Sequence, residues 1–179
     1  MKILSHPQIV KYNTTIRSKE HIYIVAELVC GKNLDEYVRK KGRLTEYISA
    51  FLIGKIIEAV QYLHSIDIVH RDLKPENIMV MFKKHHNYTS FSNADHDNID
   101  NIKIIDFGLA NHQSEINNSE LSAMAGTPNY IAPEIILSNK TSYKSDNFSI
   151  GSILYFLLSG KLAFAYKNVE YTLLRTARG

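Results

Sequence analysis

The chain has 179 residues, 45% of them hydrophobic and 22% charged, with a formal net charge of +3. That length can bury a sizeable core, and the composition is globular rather than fibrous or disordered. So mild a charge, with no basic stripe interleaved with aromatics, gives no argument for a nucleic-acid partner, and the single cysteine, Cys30, excludes an internal disulfide or a cysteine-based metal site.

One lone cysteine fits a reducing compartment. The opening MKILSHPQIVKY lacks the apolar core and cleavage site of a signal peptide. Residues 48–63 are interrupted by Lys55 and Glu58, and residues 150–158 are too short to cross a bilayer. The expectation is a soluble protein of the cytoplasm, with the nucleus also open to it, and no membrane partner.

In chain order, residues 9–12 and 21–29 (HIYIVAELV) are rich in β-branched and aromatic side chains and predict strands, with Asn13–Glu20 as the turn between them. Arg39, Lys40, Lys41 and Arg43 read as a solvated helix end. Residues 45–64 carry the strongest helix pattern: Thr45 can cap the start, and Ile48, Phe51, Leu52, Ile56, Ala59, Val60 and Leu63 recur at helical spacing. Residues 77–82 and 102–105 predict two short strands. Between them, 83–100 reads as a polar insertion in a hairpin. Its His85, His86 and His96 lack the spacing of a metal site and read as loop histidines. A second polar loop covers 111–126. A short helix follows Pro133, over 133–138. Residues 145–158 are apolar on most sides and predict a buried helix.

The densest chemistry lies in HRDLKPEN, residues 70–77, between the helix ending near His64 and the strand starting near Ile78. A polar loop anchored by apolar flanks is where functional groups often sit. Asp72 supplies a carboxylate that can accept a proton. Lys74 supplies an ammonium that can neutralise phosphate, and Asn77 an amide oxygen suited to Mg²⁺. A second acid, Asp106, opens DFG directly after the strand IKII. A third stretch, GTPNYIAPE at 126–134, is held extended by Pro128 and Pro133.

HRDLKPEN, DFG and GTPNYIAPE, in that order, resemble the catalytic core of eukaryotic protein kinases, and the pattern of Lys74 with Thr127 resembles the serine/threonine branch. The resemblance extends outward. HPQIVKY looks like the entry to the family's fourth strand, IYIVAELVCGKNL like the fifth strand and hinge, and SDNFSIGSILYFLLSGK like the central buried helix, with a calcium/calmodulin-dependent-kinase-like pattern at LLSGK. It implies an α+β protein-kinase-like fold: a partial small-lobe sheet and hinge start over 1–29, and a mostly helical large lobe over 30–179 containing the 83–100 insertion.

The implied function is transfer of the ATP γ-phosphoryl group to a Ser/Thr hydroxyl of a protein substrate, with ATP and Mg²⁺ as cofactors. By the resemblance Asp72 orients and deprotonates the substrate hydroxyl, Lys74 steadies the moving phosphoryl group, and Asn77 and Asp106 hold the metal. The backbone of Glu27 and Val29 bonds the adenine, and Ala26, small for the gatekeeper position, leaves room behind it. His70 packs on Phe107, and Gly108 frees the backbone where the next loop leaves. Asp146, if not a surface helix cap, bonds the backbone around His70 and Arg71. Glu134 is solvated or pairs with an Arg further along than residue 179. Glu76 attracts a basic substrate residue, a preference weakened by Asn33 where a second acid is usual. Ala123 stands where many relatives carry an activating phosphothreonine that Arg71 pairs with. The adjacent Ser122 can substitute and Glu120 can mimic the phosphate, and the expectation is activity without phosphorylation at the usual position; silence until Ser122 or Ser119 is phosphorylated would reject it.

The 179 residues contain no Gly-rich loop, no VAIK-type lysine and no partner glutamate. The reading is a kinase domain truncated at both ends, of doubtful competence alone. The alternative is an inert kinase-like module that binds a regulatory partner. The two readings diverge on the upstream sequence.

Overall fold

The structure, a computed structural model, describes residues 2–83, 98–116 and 125–178. Strands β1 (Tyr12–Arg17) and β2 (Ile22–Ala26) form an antiparallel hairpin. Its residues are β-branched and aromatic, yet Ile16, Ile22, Tyr23 and Ile24 are all exposed. A short strand β3 (Lys32–Asn33) leads directly into helix α1 (Leu34–Lys41). The Asn33 side chain caps α1 by accepting from the Glu36 N–H at 2.8 Å. Asp35 and Glu36 lie in its first turn and Arg39, Lys40 and Lys41 in its last, each sign matched to the helix dipole. The basic cluster is therefore the solvated end of a helix, and Leu34, Tyr37 and Val38 form its buried face.

Helix α2 (Glu46–Ser65) starts at the Thr45 cap and buries Ile48, Leu52, Ile56, Ala59, Val60 and Leu63. It packs against α5 (Tyr143–Ser159) and against the strand over residues 99–104. Strand β4 (Ile68–Val69) pairs antiparallel with β7 (Asn111–His112). Strands β5 (Ile78–Phe82) and β6 (Ile99–Ile104) complete a three-stranded antiparallel sheet in the order β3-β5-β6. Its register sets Ile78 opposite Ile104 and Val80 opposite Ile102, all four fully buried. Gly31 lets the chain cross this sheet: a Cβ there would lie 2.2 Å from the Val80 carbonyl oxygen. Short helix α3 (Gln113–Ile116) follows β7, and α4 (Pro133–Ser138) and α6 (Val169–Arg178) share a second small core around Ile131, Ala132 and Ile135.

The α+β architecture matches the expectation, and several local readings need correction. Asn13–Glu20 is not a turn: β1 runs to Arg17, and the turn is the remainder before Ile22. Residues 9–12 give only a parallel bridge from Ile9 to Ile104 before β1 begins. The insertion is shorter than 83–100, because β6 already starts at Ile99. The polar loop at 111–126 opens with β7 and α3, and α6 has no counterpart in the sequence reading. No described helix is long and apolar enough to cross a membrane.

Candidate active site

The site grows out of the β4 end. Val69 is fully buried, and the chain then turns through Arg71 at φ 67°, a left-handed conformation held by what surrounds it. The holder is Asp146, on the first turn of α5 and only 1% exposed. Its Oδ2 accepts the His70 N–H at 3.0 Å and lies 2.8 Å from His64 Nε2. Its Oδ1 accepts the Arg71 N–H at 3.0 Å. A buried carboxylate is stable only when its lone pairs are so occupied. His70 is buried with its ring centroid 5.0 Å from that of Phe107. Burial depresses the His70 pKa, against the opposing pull of Asp146, Asp72 and Asp106, so the ring is neutral. Its Nδ1 accepts from the Asp72 N–H at 3.3 Å.

Asp72 is fixed from three directions. Thr127 Oγ1 donates to its Oδ1 at 2.7 Å, Lys74 Nζ lies 2.9 Å from its Oδ2, and Asn77 Nδ2 donates to the same oxygen at 3.2 Å and to the Asp72 carbonyl at 3.0 Å. Lys74 Nζ also donates to Thr127 Oγ1 at 2.8 Å, closing the ring. Thr127 thus ties the GTP stretch to the 70–77 loop, a contact that lies across two segments and has no signal in either alone. Gly126, at φ 132°, permits this approach: a Cβ would meet the Arg71 carbonyl oxygen at 3.2 Å.

Asn77 and Asp106 meet through the sheet. The Ile105 N–H donates to the Asn77 carbonyl at 3.0 Å, one step beyond the Ile78–Ile104 pair. Asp106 is therefore adjacent to Asn77 at the same sheet end, exposed, with Oδ1 accepting the Gly108 N–H at 2.8 Å. Asn77 spends its amide N–H₂ on Asp72, which leaves its Oδ1 without a hydrogen bond among the described residues, as is the second carboxylate oxygen of Asp106. Two oxygen donors at one sheet end fit a hard cation such as Mg²⁺.

At the other end of the site, the Glu27 N–H donates to the Lys11 carbonyl at 2.9 Å. The Glu27 side chain faces Lys103 at 2.5 Å and accepts the Lys11 N–H at 2.8 Å. Burial acts to raise this carboxyl, but those partners outweigh it and hold it below the ordinary value. Val29 makes no main-chain hydrogen bond among the described residues, so its N–H and carbonyl are open. Ala26 is half-buried at the end of β2. Arg71 donates through Nε to the Leu109 carbonyl at 2.6 Å. Glu134 accepts from Ser145 Oγ at 2.8 Å, an intrachain bond in place of full solvation. Ser119, Glu120, Ser122 and Ala123, and His85, His86 and His96, lie outside the described residues.

This constellation can be set beside known proteins. The protein kinase domain family matches residues 1–178. The chain belongs to the protein kinase family. This kinase domain is 37% identical over 170 residues to serine/threonine-protein kinase 33 of Bos taurus, covering 95% of the chain and 34% of that protein. It is 38% identical over 169 residues to calcium/calmodulin-dependent protein kinase type 1 of Macrobrachium nipponense, covering 94% and 44%. It is 37% identical over 179 residues to calcium-dependent protein kinase 5 of Plasmodium berghei, covering 100% and 29%. The kinase domain thus spans between 29% and 44% of the length of these relatives.

Proposed function

We propose that the protein is an ATP-dependent serine/threonine protein kinase. The observation that carries this reading is the closed ring of Asp72, Lys74, Thr127 and Asn77 beside the exposed Asp106. Phosphoryl transfer needs positioning and charge neutralisation more than covalent chemistry, and the ring supplies both. Asp72, oriented by Thr127 and Asn77, takes the proton from the acceptor hydroxyl. Lys74, already tethered to the same carboxylate, sits where it can compensate charge on the transferring group. Asn77 and Asp106 hold Mg²⁺, which when bound neutralises the phosphate charge. Val29 offers the open main-chain groups that adenine needs, and the Glu27 N–H, already spent, leaves its carbonyl for the same task. Residues 1–29 are then the end of a small lobe with its hinge, and the remainder a large lobe.

The relatives named above are serine/threonine or calcium-dependent kinases, which supports the Ser/Thr assignment. The experiment is phosphotransfer from Mg·ATP to serine- and tyrosine-containing peptides, with Asp72→Asn as the control. Loss of a positioned general base lowers turnover about 10²–10⁴-fold. Transfer to tyrosine alone, or equal transfer by Asp72→Asn, contradicts the reading. Nucleotide binding with no transfer by either protein points to the inert binding module.

A further inference from the structure

The reaction just described uses Asp72 and Asp106, and Asp146 braces the His70–Arg71 backbone, but a further carboxylate at the same loop is left unexplained. Asp67 stands just ahead of β4 at φ 64°, a left-handed conformation that aspartate and asparagine tolerate better than other side chains. Its Oδ1 accepts the Tyr143 hydroxyl at 2.6 Å, and its Oδ2 accepts the Ser114 hydroxyl at 2.8 Å and the Ser114 N–H at 3.4 Å. His112 Nδ1 lies 3.9 Å from the same oxygen. The Asp67 carbonyl accepts the Gln113 N–H at 2.9 Å. One residue therefore joins three segments: the entry to the catalytic loop, the stretch that follows Asp106-Phe107-Gly108, and the first turn of α5.

The same stretch is fastened again further up. Ile68 pairs with His112 and Val69 with Asn111, and Arg71 Nε holds the Leu109 carbonyl. Residues 109–114 are thus laid along 67–71, with Asp67 closing the far end. The bond from Tyr143 ties this end to α5, and the Tyr143 ring centroid is 4.6 Å from that of His64, which contacts Asp146. The bonds from Tyr143 and Ser114 hold the Asp67 carboxyl below its ordinary value, so it is ionised and accepting at neutral pH.

We propose that Asp67 is a positioning residue for phosphotransfer: by clasping Ser114 and Tyr143 it keeps residues 109–114 on the catalytic loop and so fixes Asp106 and Gly108, which immediately precede that stretch. The inference rests on the kinase reading given above. A carboxylate with no such role would contribute to folding alone, and the two cases separate in kinetics.

The test uses Asp67→Asn, which suits the left-handed backbone, together with Ser114→Ala and Tyr143→Phe, which keep the carboxylate and remove one donor each. Turnover and peptide KM are measured with amide hydrogen exchange at 109–114 and at 70–72. Losing one such bond is expected to lower kcat about 3-fold, and losing the clasp about 10-fold or more, with peptide KM within about 2-fold. Exchange at 111–114 rises and exchange at 70–72 does not. In the double variant Asp67→Asn/Tyr143→Phe the added Tyr143→Phe change costs less than it does in wild type, because the two changes share one of the bonds of the clasp. Unchanged exchange at 111–114 in Asp67→Asn, or faster exchange with unchanged kcat, overturns the proposal. An active wild type with equally active variants overturns this inference alone, whereas a wild type with no Asp72-dependent transfer overturns the kinase reading and this inference with it.

Discussion

The 70–77 loop and the β1–β2 hairpin are opposite solutions to the same problem of holding extended backbone. Between residues 69 and 80 Asp72 is bonded by Thr127, Lys74 and Asn77, the His70 and Arg71 N–H groups are bonded to Asp146, and the flanking Val69, Ile78 and Val80 are buried at 0% exposure. The hairpin pairs antiparallel from Thr14↔Val25 to Arg17↔Ile22, with a register shift before Tyr12↔Ala26, yet Ile16, Ile22, Tyr23 and Ile24 remain 53–65% exposed. One region is held by burial and a single buried acid, the other by backbone pairing. The lesson is that residue type alone spells a strand in the hairpin, whereas in the loop the side-chain partners set the geometry. Substitutions should therefore divide sharply between the two.

The largest effect is expected at Asp146. Asp146→Ala leaves the His70 and Arg71 N–H groups buried without an acceptor, a change that costs about 3–5 kcal/mol in urea unfolding. In the hairpin, Ile24→Ala is expected within about 0.5 kcal/mol of wild type, as for other exposed positions. An Asp146→Ala loss below that of Ile24→Ala would break the comparison.

A smaller effect sharpens it through pH. The buried His70 ring stays neutral where the unfolded chain would bind a proton, because burial depresses its pKa below 6.5. The unfolded state then binds more protons than the native state, so stability is full above about pH 6.5 and falls as pH drops below it. His70→Phe keeps the ring packed on Phe107 and removes about one proton from that linkage, so the acid-side slope flattens. His6, whose pKa burial also depresses, contributes the same sign, so a residual slope remains. Unchanged acid dependence of urea midpoints in His70→Phe would show that this ring does not titrate differently on folding.

Legibility in the sequence follows the same division. Helix α2 was readable because its apolar residues recur at helical spacing over twenty residues. The loop residues were readable because Asp72, Lys74 and Asn77 fall within one octet, and the sheet bond from Ile105 to Asn77 then brings Asp106 beside them. Strand β1 was misread as a turn, since Asn13, Thr14 and Thr15 give no apolar alternation in a strand exposed to water. The β4–β7 pairing covers only two residues on each side, too short to carry a period. The Asp67 clasp was invisible because its donors lie on two other segments, at Ser114 and Tyr143, far apart in sequence. Thr127, singled out only as a mark of the serine/threonine branch, turns out to donate to Asp72 directly.

The claim on which the account stands is that Asp106 and Asn77 share one cation that serves the nucleotide, while Asp72 serves the hydroxyl. Titrating Mg²⁺ into the protein with a fluorescent ATP analogue tests it most directly. Wild type and Asp72→Asn should show the same strong Mg²⁺ enhancement of nucleotide affinity, and Asp106→Asn should lose it. Equal enhancement in Asp106→Asn would contradict the account.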